Sequence, residues 1–276
     1  MPLRKTSLHP LKHSPGPVRV GCAGWGITDA VAEHFPGDGT HLARYSQVLT
    51  CVEINSSFYR PHRAETYARW RDSVPSTFRF SVKIPKAITH DARLVNCETL
   101  LDTFLESATE LGSTLGCWLV QLPPSLAFDP DVAKSFFTSM RERTDIPVAL
   151  EARHESWFAK GAATLLKSKK IAYVDADPQP DDCFIAHRAD TSLVYFRLHG
   201  SPEMYQSSYE YPYLDSLALT LHDRAKKAHE VWCIFDNTAA GHAQFNALRV
   251  KSRRALNARP KRVAVREKAE KADAGA

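Results

Sequence analysis

The sequence lacks several features that would assign a protein to a familiar functional class. Its six cysteines form no Cys-x-x-Cys pair, which argues against the usual zinc knuckle and redox dithiol motifs. No apolar run approaches the roughly 20 residues of a membrane-spanning helix, and residues 1–17 hold four prolines and no apolar block. We therefore expect a cytoplasmic protein with free thiols, without a signal peptide and without membrane association.

The formal charge of +5 is unevenly distributed along the chain. Residues 249–276 carry ten Lys or Arg against three acidic residues, and residues 1–17 carry three basic residues and no acid. These two tails hold +7 and +3, which leaves −5 for residues 18–248. We expect one folded domain at 18–248, flanked by a disordered basic segment at 1–17 and a disordered or frayed-helical basic tail at 249–276.

Between the tails, short apolar runs of strand type alternate with helical patterns. Eight strands are predicted, at 18–23, 50–55, 78–84, 117–122, 148–153, 171–175, 193–199 and 231–236, with seven helical patterns among them. This alternation predicts an α/β fold with a parallel sheet, and eight units favour a single (β/α)8 TIM-type barrel. An open doubly wound sheet is the alternative, but Gly21, Gly24 and Gly26 lack the G-x-G-x-x-G spacing of dinucleotide binding.

Side chains at every second position of a strand share one face, which we call strand parity. Polar side chains lie on one such face of the predicted strands, near their C-terminal ends. Side chains alternate along a strand, so Glu53 and Asn55 oppose the apolar Val52 and Ile54. The same alternation selects Lys83, Gln121, Glu151, Arg153, Arg197, His199 and Asp236. In a barrel this face looks into the mouth, where barrel enzymes bind their substrates.

A structural explanation exists for each charged pair of this set. Glu53 with Lys83, or Glu151 with Arg197, could be an interior ion pair that serves folding alone. The whole set is harder to explain in this way, because barrels ordinarily fill their interiors with branched apolar residues and burying many charges is costly. We therefore interpret the set as a binding or catalytic site.

The residue types narrow the chemistry of this site in part. Glu151, His199 and Asp236 are the predicted catalytic residues, because they can act as acids and bases. Substrate-binding roles are predicted for Glu53, Asn55, Tyr59, Lys83, Gln121, Arg153, His154, Trp157, Arg197 and Asn237. A divalent metal held by carboxylates with His154 or His199 stays open, but no dedicated spacing such as His-x-x-x-His indicates one, and no cofactor is assigned.

The segments that carry these residues resemble the YecE-like family, also called domain of unknown function 72, across essentially all of 18–248. The matching segments are Gly21-Cys-Ala-Gly-Trp25, Glu53-Ile-Asn-Ser-Ser-Phe-Tyr59, Phe78-Arg-Phe-Ser-Val-Lys83, Leu119-Val-Gln-Leu-Pro-Pro124, Glu151-Ala-Arg-His-Glu-Ser-Trp157, Tyr195-Phe-Arg-Leu-His-Gly200 and Phe235-Asp-Asn237. Gly26 and Ala152 depart mildly from the family pattern. The resemblance implies a TIM-type barrel and supplies no settled activity.

Three functions are compatible with the sequence. The first is an enzyme, in particular a hydrolase, acting on a phosphorylated substrate such as a nucleic-acid phosphodiester, with Lys83, Arg153 and Arg197 clamping phosphate. In it Glu151 or Asp236 activates water and His199 protonates the leaving oxygen. The second is a carbohydrate-active enzyme with paired carboxylates. The third is a binding module without turnover, aided by the basic C-terminal tail.

Phosphate-directed chemistry ranks first among these functions, because arginine and lysine side chains suit phosphate oxygens. The expected ligand is therefore an anionic or polyhydroxylated small molecule, or a nucleic acid. The sequence leaves open the substrate, the need for a metal and the oligomeric state.

Overall fold

The computed structural model describes residues 14–179 and 185–257, and its eight parallel strands close into a barrel. The strands are β1 (Val18–Ala23), β2 (Cys51–Ile54), β3 (Arg79–Lys83), β4 (Leu115–Gln121), β5 (Val148–Glu151), β6 (Ile171–Asp177), β7 (Leu193–Leu198) and β8 (Glu230–Phe235). Each strand pairs with the next along the chain, and β8 pairs with β1. The predicted (β/α)8 barrel is confirmed, and every predicted strand agrees with an observed one to within two residues at each end.

Seven α-helices surround the barrel in the described residues. They are α1 (His41–Val48), α2 (Ala64–Asp72), α3 (Glu98–Ala108), α4 (Pro130–Arg143), α5 (Lys160–Ser168), α6 (Tyr211–Ala225) and α7 (His242–Asn257). The start of α4 shows how local sequence sets these elements. The Asp129 side chain accepts hydrogen bonds from the backbone N–H groups of Asp131 and Val132, and Pro130 stands in the first turn, where its missing N–H costs nothing.

Described structure reaches residues that the charge pattern assigned to the two tails. Helix α7 continues past residue 248 to Asn257, because the fully buried Val250 extends the apolar face that includes Ala247. At the other end, the backbone N–H of Gly16 donates to the carbonyl of Ala225. Residues 249–257 are thus helical, and the remainder of the two predicted tails, 1–13 and 258–276, lies outside the described residues.

Apolar side chains fill much of the barrel interior. The inward-facing apolar set consists of Ala23, Cys51, Cys117, Leu119, Ala149, Ala172, Val174, Leu193, Tyr195, Trp232 and Ile234. Tyr195 and Trp232 stack with their ring centroids 5.9 Å apart. Gly116 makes room for this stack, since a Cβ there would lie 2.6 Å from the Trp232 ring. Val52 and Ile54 belong to the separate cluster between strands and helices, as their parity predicts.

Burial makes the described cysteines poor nucleophiles. Cys22, Cys51, Cys97, Cys117 and Cys233 are free and buried, and Cys183 lies outside the described residues. Burial raises the pKa of the Cys22 thiol to about 12, so it stays protonated at neutral pH. None of the described helices is long and apolar enough to cross a bilayer.

Candidate active site

A buried arginine on β7, Arg197, lies at the centre of the polar cluster and is 1% exposed. Its Nη2 is 2.8 Å from Glu53 Oε1 and 2.8 Å from Asp236 Oδ2, and its Nη1 is 2.9 Å from Glu151 Oε2. Three carboxylates, from β2, from the end of β5 and from the residue after β8, therefore share one guanidinium. The donors that were expected to bind phosphate are engaged by protein carboxylates in this arrangement.

Neutral side chains complete the contacts around this ion cluster. Asn55 Nδ2 donates to Asp236 Oδ1 over 3.2 Å, and Gln121 Oε1 lies 3.5 Å from Arg197 Nη1. Deeper in the barrel, the Tyr195 hydroxyl donates to Glu53 Oε2 over 2.8 Å. Every carboxylate of the cluster therefore has at least one partner besides Arg197, which is what a stable buried charge requires.

His199 lies between two of the carboxylates and is almost fully buried. Its Nδ1 is 3.1 Å from Asp236 Oδ2, and its Nε2 is 3.2 Å from Glu151 Oε1. Burial disfavours the charged imidazolium, but the hydrogen bonds to Asp236 and Glu151 outweigh burial and raise the pKa of His199 above its usual value. The imidazolium form is therefore favoured, and it can donate to both carboxylates at once.

The pKa values of the two carboxyl groups beside His199, those of Glu151 and Asp236, are shifted in the opposite direction. Burial alone would raise the pKa of Glu151, but the charges of Arg197 and His199 outweigh it and lower that pKa well below its usual value. The same balance lowers the pKa of Asp236. Both carboxyl groups consequently stay ionised near neutral pH, which makes them better at holding an imidazolium than at accepting a proton.

Lys83, at the end of β3, is the cation of the cluster with the fewest protein partners. It is 7% exposed, and no carboxylate oxygen of a described residue lies within 4.0 Å of its Nζ. Its ammonium stands 4.1 Å from the centre of the Phe58 ring, a cation–π contact. Burial, and then the positive charge of Arg197, lowers the pKa of Lys83 to about 8.

Arg153 lies at the rim of the same mouth. Its Nε and Nη2 donate to Glu151 Oε1 over 3.0 and 2.8 Å, and its side chain is partly exposed. Burial lowers the pKa of Arg153, but the charge of Glu151 and the nearby Tyr205 side chain outweigh burial and raise it. Among the described cations of the cluster itself, Arg153 and Lys83 are thus the two that are not enclosed by several carboxylates.

The structure brings nine of the thirteen predicted site residues together. They are Glu53, Asn55, Lys83, Gln121, Glu151, Arg153, Arg197, His199 and Asp236. All nine lie at the C-terminal end of a strand or within two residues of it, where strand parity still determines the direction of a side chain.

The other four predicted site residues lie outside this cluster. Tyr59 is 80% exposed on the loop after β2, and the His154 ring accepts a hydrogen bond from the backbone N–H of Ser156. Trp157 is buried, with its indole N–H donating to a backbone carbonyl. Asn237 donates to the carbonyl of Ser207 and so ties two loops together. Tyr59, His154 and Trp157 follow the ends of their strands, where parity no longer applies. Asn237 directly follows Asp236 in the chain and so has the opposite parity.

Two residues of the mouth were not among the predicted site residues. Tyr205, on the loop after β7, packs the edge of its ring against His199 with centroids 5.6 Å apart. His90, on the loop after β3, packs against Phe58 with centroids 5.0 Å apart. Both stand on loops, so the sequence had no periodic signal to identify them. Tyr205 was only one of several aromatic residues in its loop.

The carboxylates of the mouth converge on a guanidinium. In the two described stretches of the chain, no three His, Cys, Asp or Glu side chains form a group that could hold a metal ion. The same carboxylates that a divalent ion would use are bonded to Arg197 and His199. What this arrangement leaves directly for a ligand is the cationic donors of Lys83 and Arg153.

Sequence comparison relates the chain to uncharacterised bacterial proteins. The family profile described as "Protein of unknown function DUF72" matches residues 19–272. UPF0759 protein YunF from Bacillus subtilis (strain 168) is 24% identical over 258 residues, covering 83% of this chain and 92% of that protein. UPF0759 protein YecE from Escherichia coli (strain K12) is 32% identical over 123 residues, and this match spans only 44% of each protein.

Structure comparison finds the same barrel in solved proteins of this family. A DUF72 family protein from Enterococcus faecalis V583 is 24% identical with a TM-score of 0.70, covering 89% of this chain and 99% of the other. A DUF72 family protein from Thermotoga maritima MSB8 is 23% identical with a TM-score of 0.70, covering 87% and 99%. At these identities the likeness establishes the fold alone. The family profile covers most of the chain, and the protein therefore belongs to the DUF72 family of proteins of unknown function.

Proposed function

We propose that the protein is an enzyme that acts on a phosphorylated substrate bound at the C-terminal mouth of the barrel. The observation that carries this proposal is the Lys83 ammonium, which is buried without a carboxylate among the described residues within 4.0 Å. A buried cation without a counterion is costly, as the lowering of the Lys83 pKa to about 8 reflects. An anionic group on the substrate would supply the missing counterion.

Arg153 is the second anion ligand in this proposal. Its Nε and Nη2 are shared with Glu151, which leaves Nη1 for a ligand at the partly exposed rim. Arg197, whose donors are enclosed by three carboxylates, has the role of positioning Glu151 and Asp236. The phosphate contacts first expected of three cations are thus assigned to Lys83 and Arg153.

His199 is the proposed general acid. Its raised pKa favours the protonated ring, and a leaving oxygen that displaces Glu151 from Nε2 would receive that proton. Glu151 and Asp236 hold and stabilise the imidazolium, and Asp236, the more exposed of the two, orients the attacking water. The water's hydroxyl stays on the phosphate product, and the proton that it releases restores the protonated His199 ring. With lowered pKa values these carboxylates contribute through hydrogen bonding and charge more than through proton abstraction.

The carbohydrate-active alternative receives less support from this geometry. Glycoside hydrolysis by two carboxyl groups needs one of them protonated, with a raised pKa, to protonate the leaving group. The pKa values of Glu151 and Asp236 are both lowered, and both side chains are bonded to Arg197. A binding module without turnover remains the competing proposal, and the experiment below separates it from an enzyme.

A substrate screen with four proteins tests the proposal. The wild type, Lys83→Gln, His199→Gln and the control Lys134→Gln are assayed on phosphomonoesters, phosphodiesters and single-stranded DNA, with and without added divalent cations. Lys134 is exposed on α4, on a surface that it shares with Glu98 and Thr138, so its replacement should change nothing.

For a hydrolysed compound, Lys83→Gln should raise KM at least about tenfold, because a charged hydrogen bond is lost. His199→Gln should lower kcat by about 10²–10⁴-fold, because the general acid is lost. Binding without any turnover would favour the binding module. Unchanged turnover in His199→Gln would refute the assigned mechanism.

A further inference from the structure

We infer that the anionic group bound at the mouth carries two negative charges, as a terminal phosphate monoester does, and that His90 contacts it and takes up a proton on binding. This inference rests on the proposed function, because it specifies the ligand of the same site. It adds His90 to the site and selects a phosphate monoester over a phosphodiester.

His90 and Lys83 approach the mouth around a common aromatic ring. His90 lies in the short helical turn Ala87–Asp91, which closely follows β3, the strand that ends at Lys83. The Lys83 ammonium stands over the Phe58 ring at 4.1 Å, and the His90 ring packs against Phe58 with centroids 5.0 Å apart at an angle of 81°. Phe58 thus holds an ammonium and a half-exposed imidazole at the same edge of the mouth.

The hydrogen bonds of Thr89 determine which nitrogen of His90 can take a proton. The Thr89 hydroxyl donates to the carbonyl of Pro85 over 3.2 Å and lies 2.9 Å from His90 Nδ1. A hydroxyl has a single hydrogen, so with that hydrogen on the Pro85 carbonyl Thr89 accepts its second bond from Nδ1–H. In the neutral ring Nε2 therefore carries the lone pair. Protonation takes place at Nε2, the nitrogen that Thr89 does not use.

Burial and the charges that face His90 favour its neutral form in the free protein. Burial lowers its pKa, followed by the positive charges of Lys83, Lys86 and Arg153, while Asp91 acts in the opposite direction. Lys86 is already paired with Asp91 at 2.6 Å. Around the imidazole there is consequently an excess of positive charge, which a bound anion would reverse.

Charge matching then indicates the ionisation state of the ligand. Lys83 offers one positive charge without a carboxylate partner, and the charge of Arg153 is already shared with Glu151. A monoanionic diester would be matched by Lys83 alone and would leave His90 neutral. A dianion leaves one negative charge unmatched, and protonated His90 supplies the cation that pairs with it.

Sulfate and methyl sulfate test this inference, because they share a tetrahedral shape, differ by one charge and do not titrate near neutral pH. Their binding is measured by isothermal titration calorimetry at about pH 6.5, in two buffers with different ionisation enthalpies. At that pH Lys83 is already protonated, since its pKa is about 8, and the raised pKa of His199 favours its charged form. Proton uptake on binding that disappears in His90→Gln therefore reports His90.

The expected result is that sulfate binds at least about tenfold more tightly than methyl sulfate and that its apparent enthalpy depends on the buffer. His90→Gln should lose the buffer dependence and most of the preference for sulfate. His62→Gln is the matched control, because His62 also has a lowered pKa but packs against Trp70, and it should behave as the wild type does.

The outcomes separate this inference from the proposed function. Sulfate binding that depends on Lys83 but takes up no proton, or equal affinity for the two ions, would overturn the inference and leave the anion site standing. If neither sulfate nor methyl phosphate binds at the highest ion concentrations at which the protein stays in solution, the anion site is overturned as well.

Discussion

Replacing Arg197 with methionine removes the guanidinium that Glu53, Glu151 and Asp236 share. Methionine keeps much of the volume of the side chain, so the main change is electrostatic. Three buried carboxylates would lose a cation that each of them contacts, with His199 and Arg153 left as partners of only two of them. Removing one partner of a buried ion pair costs about 3–5 kcal/mol, and we expect a loss of at least this size.

The pH dependence of this loss has a predicted sign. In the wild type the pKa values of Glu151 and Asp236 are lowered, so their stabilising contribution is present above the unfolded-state pKa of about 4 and is lost as the pH falls through the folded values. In Arg197→Met burial should dominate and raise both pKa values. The variant should then gain stability as the pH falls toward about 5. The difference between the two proteins should therefore narrow on acidification.

Chemical denaturation followed by tryptophan fluorescence at several pH values measures this difference. Arg143→Met is the control, because Arg143 pairs with Asp102, whose side chain is 57% exposed, and water screens that pair. A loss in Arg197→Met no larger than that in Arg143→Met would refute the central role of Arg197. A loss of the same size at every pH would refute the assigned carboxylate pKa shifts.

Three further predictions concern single substitutions. The wild type should gain stability relative to Lys83→Met as the pH rises from about 8 to about 10. The reason is that the lowered Lys83 pKa makes the folded protein bind fewer protons than the unfolded chain. A constant difference between the denaturation midpoints of the two proteins would contradict this. Trp157→Phe removes the N–H that donates to the Leu126 carbonyl and should cost about 1–3 kcal/mol while leaving sulfate affinity unchanged, as thermal melting and calorimetry would show. Gly21→Ala would place a Cβ 2.0 Å from the Cys51 carbonyl oxygen, so we expect the free energy of unfolding to fall by about 3 kcal/mol or more. A Tm equal to that of the wild type would contradict the close approach of β1 and β2.

The barrel and most of its charged mouth could be predicted from local patterns. Each strand is an apolar run bounded by polar or turn residues, and such runs are legible in the sequence because burial acts on every residue of a strand. Parity extended the prediction to the site. It placed Glu53 and Arg197 on the inward face of strands far apart in the chain, and the structure brings them to 2.8 Å.

The positions of loop side chains could not be predicted from strand parity. His90 and Tyr205 are mouth residues that no period could identify, and Tyr205 has the left-handed backbone angle φ of 67°, which is rare outside glycine. Conversely, Trp157 stands in a segment that resembles the family pattern, but the conformation of its loop buries the side chain in the core. The direction of a loop side chain depends on contacts with other elements, so the local sequence does not encode it.

The sequence by itself determined the number of strands, the closed barrel and the set of polar side chains at its mouth, because alternation along a strand is a local property. Only the tertiary structure decided how those charges are matched. Barrel closure brings β2, β5, β7 and β8 around one guanidinium, so Arg197 is enclosed by three carboxylates while Lys83 has no carboxylate within 4.0 Å among the described residues. Charge matching depends on distances between strands, and closing the barrel sets those distances.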